Sequence, residues 1–163
     1  MFDPDKLILS RLVKELQNVE RVVLGPGIPQ LAVPHLSAQT RAYKLGNGAL
    51  GPVDLAVVEA AEISAQGDLV ISENIPLNNL QARKWIVATR HTSGAGEPKI
   101  VRSCRLPVSR PHCVELIISE LGVIRINEVG LVLEEVAPGV ASDDVKRAVA
   151  ASLHVSDDIA LMI

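Results

Sequence analysis

Gly25-Pro26-Gly27-Ile28-Pro29 is the first segment whose residue types and order could do chemistry. A β-branched run, Arg21 to Leu24, leads into two glycines and then a proline suited to a helix start. Such a turn presents bare backbone amides, which bind phosphates and carboxylates. The spacing departs from the dinucleotide fingerprint, because no third glycine follows at the required place. From these residues alone the plainer reading is preferred: a tight left-handed turn that only reverses the chain. Glu59 and Glu62 lie just past a second apolar run, Val53 to Val58. Glu59 is near the carboxyl end of that expected strand, where sites in α/β sheets gather. Its favoured reading is still an exposed or paired strand-end charge.

Other chemistries find little support. His35, His91, His112 and His154 form no pair four residues apart, and Cys104 and Cys113 lack Cys-x-x-Cys spacing. That pattern argues against a zinc site and makes no disulfide framework. Phe2, Tyr43 and Trp85 are the whole aromatic content of 163 residues, too few for a reader that stacks nucleobases. Sixteen basic residues against nineteen acidic ones give a net charge of −3, with no surplus to attract a phosphate backbone. The N-terminal residues carry no signal or transit pattern, and no apolar run approaches the roughly 20 residues a membrane span needs. A cytoplasmic protein with reduced thiols, no bound cofactor and neither nucleic acid nor membrane as partner is expected.

These residues need elements to position them. Asp3 and Pro4 suit an N-cap and first helical position, and Ile8, Leu12 and Leu16 then make one buried stripe to a helix end near Asn18. Arg21–Leu24, Val53–Val58 and Trp85–Thr89 read as buried strands. Val114, Ile117, Ile118 and Leu121 recur at helical spacing, which predicts a helix over 114–121. Val123–Ile126 and Leu131–Leu133 flank a glycine-containing loop as a hairpin, and Ser142 is expected to cap a last helix with Asp143 and Asp144 in its first turn. The region from Leu36 to Leu50 is weakly patterned. Alternating helices and fully apolar strands predict an α/β chain, a layered α/β/α domain over residues 1–163 with a mostly parallel, mixed sheet.

A family resemblance enters through ordered segments. Val23 to Pro29 resembles the "NLGIGIP" turn of the beta subunit of family I CoA-transferases, the 3-oxoacid (succinyl-CoA:acetoacetate) group. Val53 to Val58 with Gly67-Asp68-Leu69 is similar to its "IDLTVLGAxQVxxxGNL" stretch, and Ile86 to Thr92 to its "VIVAMEHT". Pro98-Lys99-Ile100, Cys104, Leu106-Pro107 and Cys113-Val114 match a further run in order. Gly130 to Val140 resembles "GLVLVEIAPGV". The likeness covers nearly the whole chain. It implies a CoA-transferase fold, coenzyme A thioester as substrate or ligand, and pairing with an alpha subunit or self-association. It further implies covalent chemistry, in which a glutamate attacks an acyl-CoA and becomes a glutamyl-CoA thioester that an acceptor carboxylate resolves. Backbone amides in the glycine loops would stabilise the oxyanion, and Gly25, Gly27, Pro29, Asn47 and Gly48 are the matching CoA- or oxyanion-loop positions here.

The departures from the pattern are specific. Leu45 to Pro52 corresponds to the family's "SENGxLGxGP", with Asn47, Gly48, Leu50 and Gly51 in place but Gly46 at the nucleophile position. Glycine has no side chain to attack a thioester. The long segment before "HIDLTVLGA" is missing, because Pro52 runs straight into Val53, and Leu77 to Arg83 replaces the glycine-rich "KGMGGAMDLV". The expectation is a catalytically impaired CoA-transferase beta-like chain. Two alternatives stand beside it: an active subunit that uses another carboxylate or a partner's residues, and a purely structural or interaction protein. Glu73, in Ser72-Glu73-Asn74, and Glu59 are the substitute carboxylates. Glu73 follows the segment that the family motif precedes, and its preferred reading is a solvated loop charge. His91 is expected to position a loop, and both cysteines to be structural.

Overall fold

The computed structural model describes residues 3–46 and 51–162. Helix α1 runs from Pro4 to Glu15, capped by Asp3, whose Oδ1 accepts the Asp5 amide at 3.0 Å. It buries Ile8 and Leu12, with Leu16 buried at its end, and Asn18 then reverses the chain at φ 63°. Strand β1 (Arg21–Leu24) follows, then a 3-10 helix (Ile28–His35) and β2 (Arg41–Lys44). The middle of the chain supplies β3 (Val53–Val58), β4 (Glu62–Ser64), β5 (Leu69–Val70), β6 (Ala82–Ala88) and β7 (Ile100–Val101). The last part supplies β8 (Val114–Ile118), β9 (Gly122–Asn127), β10 (Gly130–Val136), α2 (Ser142–Arg147) and β11 (Leu153–Leu161).

Among the described residues, eight strands form the main sheet in the order β11-β10-β9-β8-β6-β3-β1-β2. The run from β8 to β2 is parallel throughout. The pairs β8/β9 and β9/β10 are antiparallel, and β11 returns parallel to β10. The sheet is therefore mostly parallel and mixed, as the strand pattern predicts. Its central strands are apolar on both faces because both faces are covered. Val22, Leu24, Leu55, Val57, Ile86, Ala88, Leu116 and Ile118 pack under α1 and the 3-10 helix. The alternate residues Val23, Ala56, Val58, Trp85, Val87 and Ile117 face the other way. There a three-stranded sheet, β5-β4-β7, and α2 form the covering layer. Arg11 pins α1 to the sheet: its Nη2 lies 2.7 Å from Glu135 Oε2, and its Nη1 lies 2.8 Å from Glu15 Oε2.

The structure corrects several sequence expectations. Val114–Leu121 is not a helix; Val114–Ile118 is strand β8, paired with β6 and β9. A strand buried on both faces has apolar residues at every spacing, so i, i+3 and i+4 matches arise without a helix. Ser142 is the first residue of α2 rather than its cap; Ala141 stands at that place, its amide donating to Asp144 Oδ2 at 3.0 Å. Strand β2 lies in the weakly patterned stretch, and β11 and the small sheet have no counterpart among the expected elements. Among the described residues, no helix is long and apolar enough to cross a membrane.

Candidate functional site

The chain leaves β1 to one side, through the 3-10 helix to β2, and returns to place β3 on the other side of β1. Two adjacent parallel strands whose connections run in opposite directions leave a crevice at their carboxyl ends, where ligands of open α/β sheets bind. The loops that leave β1 and β3 wall this crevice. Pro26 and Gly27 come from the first loop, and Glu59 and Ala60 from the second. With Ser72, Glu73 and Lys99 they line a cleft of about 250 Å³.

The glycine turn has a definite local cause. The Gly25 amide continues the ladder, donating to Val57 O at 2.8 Å. A side chain at Gly25 would press on Val58, with its Cβ 3.3 Å from Val58 Cγ1. Gly27 sits at φ 89°, a conformation that L side chains rarely adopt. Pro29 opens the 3-10 helix and is buried with Ile28 and Ala32 against the core. Proline at that point loses nothing, since the first amides of a helix have no internal partner.

One of those amides does have a partner. The Ile28 N–H donates to Glu59 Oε2 at 2.9 Å. The same carboxylate lies directly against Gly27: a Cβ added there would fall 1.6 Å from Glu59 Oε2. The turn and the strand-end glutamate, which the sequence presents as separate candidates, form one unit. Glu73 joins them as an exposed side chain on the wall of the same cleft.

Lys99 is the residue that sequence reasoning misses, visible there only within the Pro98-Lys99-Ile100 run. It arrives from the segment before β7, and its Nζ donates to Thr89 Oγ1 at 2.8 Å. Burial depresses its pKa, and the charges of Glu59 and Glu120 oppose that shift. A larger cleft of about 660 Å³ adjoins the first, shares Ala60, Ser72 and Lys99 with it, and adds Arg90 and Arg105. Both arginines are engaged: Arg90 Nε with Asp5 at 2.5 Å, and Arg105 Nε with Glu62 Oε2 at 2.9 Å.

Gly46 lies two residues beyond β2, at the same end of the parallel sheet as Gly25 and Glu59. It is exposed, and a Cβ there would meet nothing within 4 Å. Asn47 and Gly48, the other glycine-loop candidates, lie outside the described residues.

The remaining chemistry-bearing side chains are committed to structure. Glu62 is buried at 3% exposure; burial works against its charge, but the Leu106 and Arg105 amides and the Arg105 guanidinium outweigh that and hold its carboxyl below the usual range. His91 is buried, with Nδ1 2.9 Å from Ser119 Oγ and Nε2 3.1 Å from Ala148 O. Burial lowers its pKa, so it is a poor proton carrier at neutral pH. Burial likewise pushes the Cys104 thiol up to about 11 and the Cys113 thiol up to about 12, which leaves both as thiols rather than nucleophilic thiolates. Among the described residues, no three His, Cys, Asp or Glu side chains gather as a metal site.

No protein-family model matches the chain. It is 30% identical over 115 residues to a probable coenzyme A transferase, its beta subunit, of Bacillus subtilis, a match covering 64% of this chain and 53% of that protein. The chain thus spans about half the length of that relative. It is 25% identical to the beta-type subunit of the succinyl-CoA:3-ketoacid coenzyme A transferase of Helicobacter pylori, over 91% of this chain and 97% of that protein. That alignment runs over 202 positions, more than the 163 residues present, so part of the longer protein has no counterpart here. The fold is that of the acyl-CoA transferase YdiF of Escherichia coli O157:H7, at a TM-score of 0.78 and 17% identity over 99% of this chain and 43% of that one. The decarboxylase AibA/AibB has the same fold, at a TM-score of 0.78 and 13% identity over 100% of this chain and 90% of that one. In sequence the chain is similar to CoA-transferase beta subunits, and it shares the fold of the acyl-CoA transferase YdiF.

Proposed function

We propose that this relative of the CoA-transferase beta subunits keeps the scaffold for a CoA thioester or its acyl carboxylate but does not form the covalent glutamyl-CoA intermediate. The observation that carries this reading is Gly46. It stands where the family nucleophile is expected, at the site end of the sheet, with no side chain to attack a carbonyl. The missing segments before Val53 and around Leu77–Arg83 support the same reading, as does the 202-position alignment. On this view the chain acts with a CoA-transferase alpha subunit, or with a second copy of itself, as a binding subunit in a single domain. The AibA/AibB likeness supports separating scaffold from reaction, since one fold carries both a transferase and a decarboxylase.

A second reading has one observation in its favour: Glu73 lines the cleft at the strand ends beside Lys99. In that case Glu73 is the relocated nucleophile. Glu59 suits that role less well, because its Oε2 already accepts the Ile28 amide. Intact-mass measurement after incubation with acetoacetyl-CoA or succinyl-CoA separates the two. The proposal expects an unmodified mass, with or without an alpha subunit. An adduct that disappears in Glu73→Gln establishes the second reading instead.

A further inference from the structure

Lys99 is a cation held in the crevice without being quenched there. It is half-buried just before β7, and it lines both the cleft of about 250 Å³ and the cleft of about 660 Å³, so the two meet at its side chain. An ammonium has three N–H donors. Among the described residues, the acceptor within its reach is the neutral Thr89 hydroxyl, at 2.8 Å. The carboxylates whose charges support the ammonium are Glu59 and Glu120. Each is already held by a backbone amide: Glu59 Oε2 by Ile28 at 2.9 Å, and Glu120 Oε1 by His91 at 2.7 Å. Burial and the charge of Arg90 act against the ammonium. We propose that Lys99 is the ligand anchor of this crevice, and that the group it takes is the free carboxylate of a short-chain organic acid. This rests on the reading above that the crevice receives an acyl carboxylate.

The ammonium is partly withdrawn from water with a neutral partner, a state that an incoming anion relieves through a charge-assisted hydrogen bond. Its place is equally specific. Thr89 directly follows β6 and Glu59 directly follows β3, so Lys99 is tied to the carboxyl ends of parallel strands, where open α/β sheets bind ligands. It is also held in advance. Thr89 is 1% exposed, the Lys99 amide donates to His91 O at 3.3 Å, and the Lys99 carbonyl accepts the Ile63 amide at 2.8 Å. A ligand therefore has little of this wall left to order on binding. The charges around Lys99 select the class of anion. Arg90 and Arg105, which line the larger cleft, are paired with Asp5 and Glu62, and the exposed Glu73 adds negative charge to the smaller one. One compact cation among carboxylates suits a single carboxylate, whereas phosphate groups favour the bidentate guanidinium forks that are engaged here.

The test is an amide-resolved NMR titration with sodium succinate, beside its uncharged diamide succinamide, at matched ionic strength. In the wild type the Ala60, Ser72 and Lys99 amides are expected to shift saturably with succinate, and succinamide is expected to bind about tenfold or more weakly. Lys99→Met keeps the length of the side chain and removes its charge. It is expected to weaken succinate binding by about tenfold or more and to leave succinamide binding unchanged, which a general disturbance of the cleft would not do. If Lys99→Met does not fold, Lys99→Gln carries the same arm. Equal succinate affinity in the wild type and the variant overturns the proposal. So does succinamide binding that matches succinate, or a wild type whose cleft amides ignore succinate. A CoA-sized adduct in the mass measurement instead overturns the non-covalent reading and leaves Lys99 its role, so the two fail separately.

Discussion

A glutamate whose oxygen is held by a backbone amide is a different chemical object from one free to attack a carbonyl. Glu59 is the first kind, with Oε2 on the Ile28 amide, whereas Glu73 is an exposed side chain on the cleft wall. Gly46 offers neither. Its open surroundings make one expectation direct: Gly46→Glu should change folding stability by no more than about 0.5 kcal/mol in chemical denaturation, because no neighbour must move. His91 gives a pH prediction with a definite sign. Burial lowers its pKa from the ordinary 6.5, so the unfolded chain binds the proton first. Its contribution to stability is full above about pH 6.5 and is lost as pH falls from there through the folded-state value. Denaturation midpoints measured from about pH 7.5 down to about 5 should therefore fall, and the fall should be shallower in His91→Gln. An identical slope in both proteins would remove His91 as its source. Much of this is legible in residue types: the glycine turn and the strand-end glutamate are both read from the chain. The Ile28–Glu59 bond is not, because it depends on β1 and β3 being neighbours, and strand order is not encoded in either segment alone. Lys99 escapes for a similar reason, since only the tertiary fold brings it to the cleft.

At the level of elements, the parallel strands β1, β3 and β6 form the frame that presents these side chains. Their apolar runs announce them in the sequence. The hairpin of β9 and β10 is equally clear, from a glycine-containing loop between two short β-branched runs. Strand β8 misleads because burial on both faces erases the alternation that marks a strand. A pair of substitutions checks its assignment. Leu116 is fully buried beneath α1, whereas Glu115 beside it is exposed. Leu116→Ala should cost about 2–5 kcal/mol, and Glu115→Gln should stay within about 0.5 kcal/mol. Comparable costs at both positions would contradict the placement of Leu116 in the core and Glu115 at the surface. The small sheet is hidden for another reason. Strands of two and three residues, β5, β4 and β7, are too short to show any period, and non-local pairing holds them together.

For the whole molecule, the ordered resemblance to CoA-transferase beta subunits carries the fold, and the relatives and solved structures agree with it. What the molecule does with that fold rests on its site. The chain has the sheet, the strand-end crevice and the turn after β1, part of the longer relative has no counterpart, and the proposal places Gly46 at the family nucleophile position. The measurement that tests this account most directly is the intact mass of the folded protein after incubation with succinyl-CoA or acetoacetyl-CoA, alone and with a CoA-transferase alpha subunit. The account predicts an unchanged mass in every arm. A CoA-sized adduct on a carboxylate of this chain would contradict it, and peptide mapping would then name the glutamate that replaced the missing one.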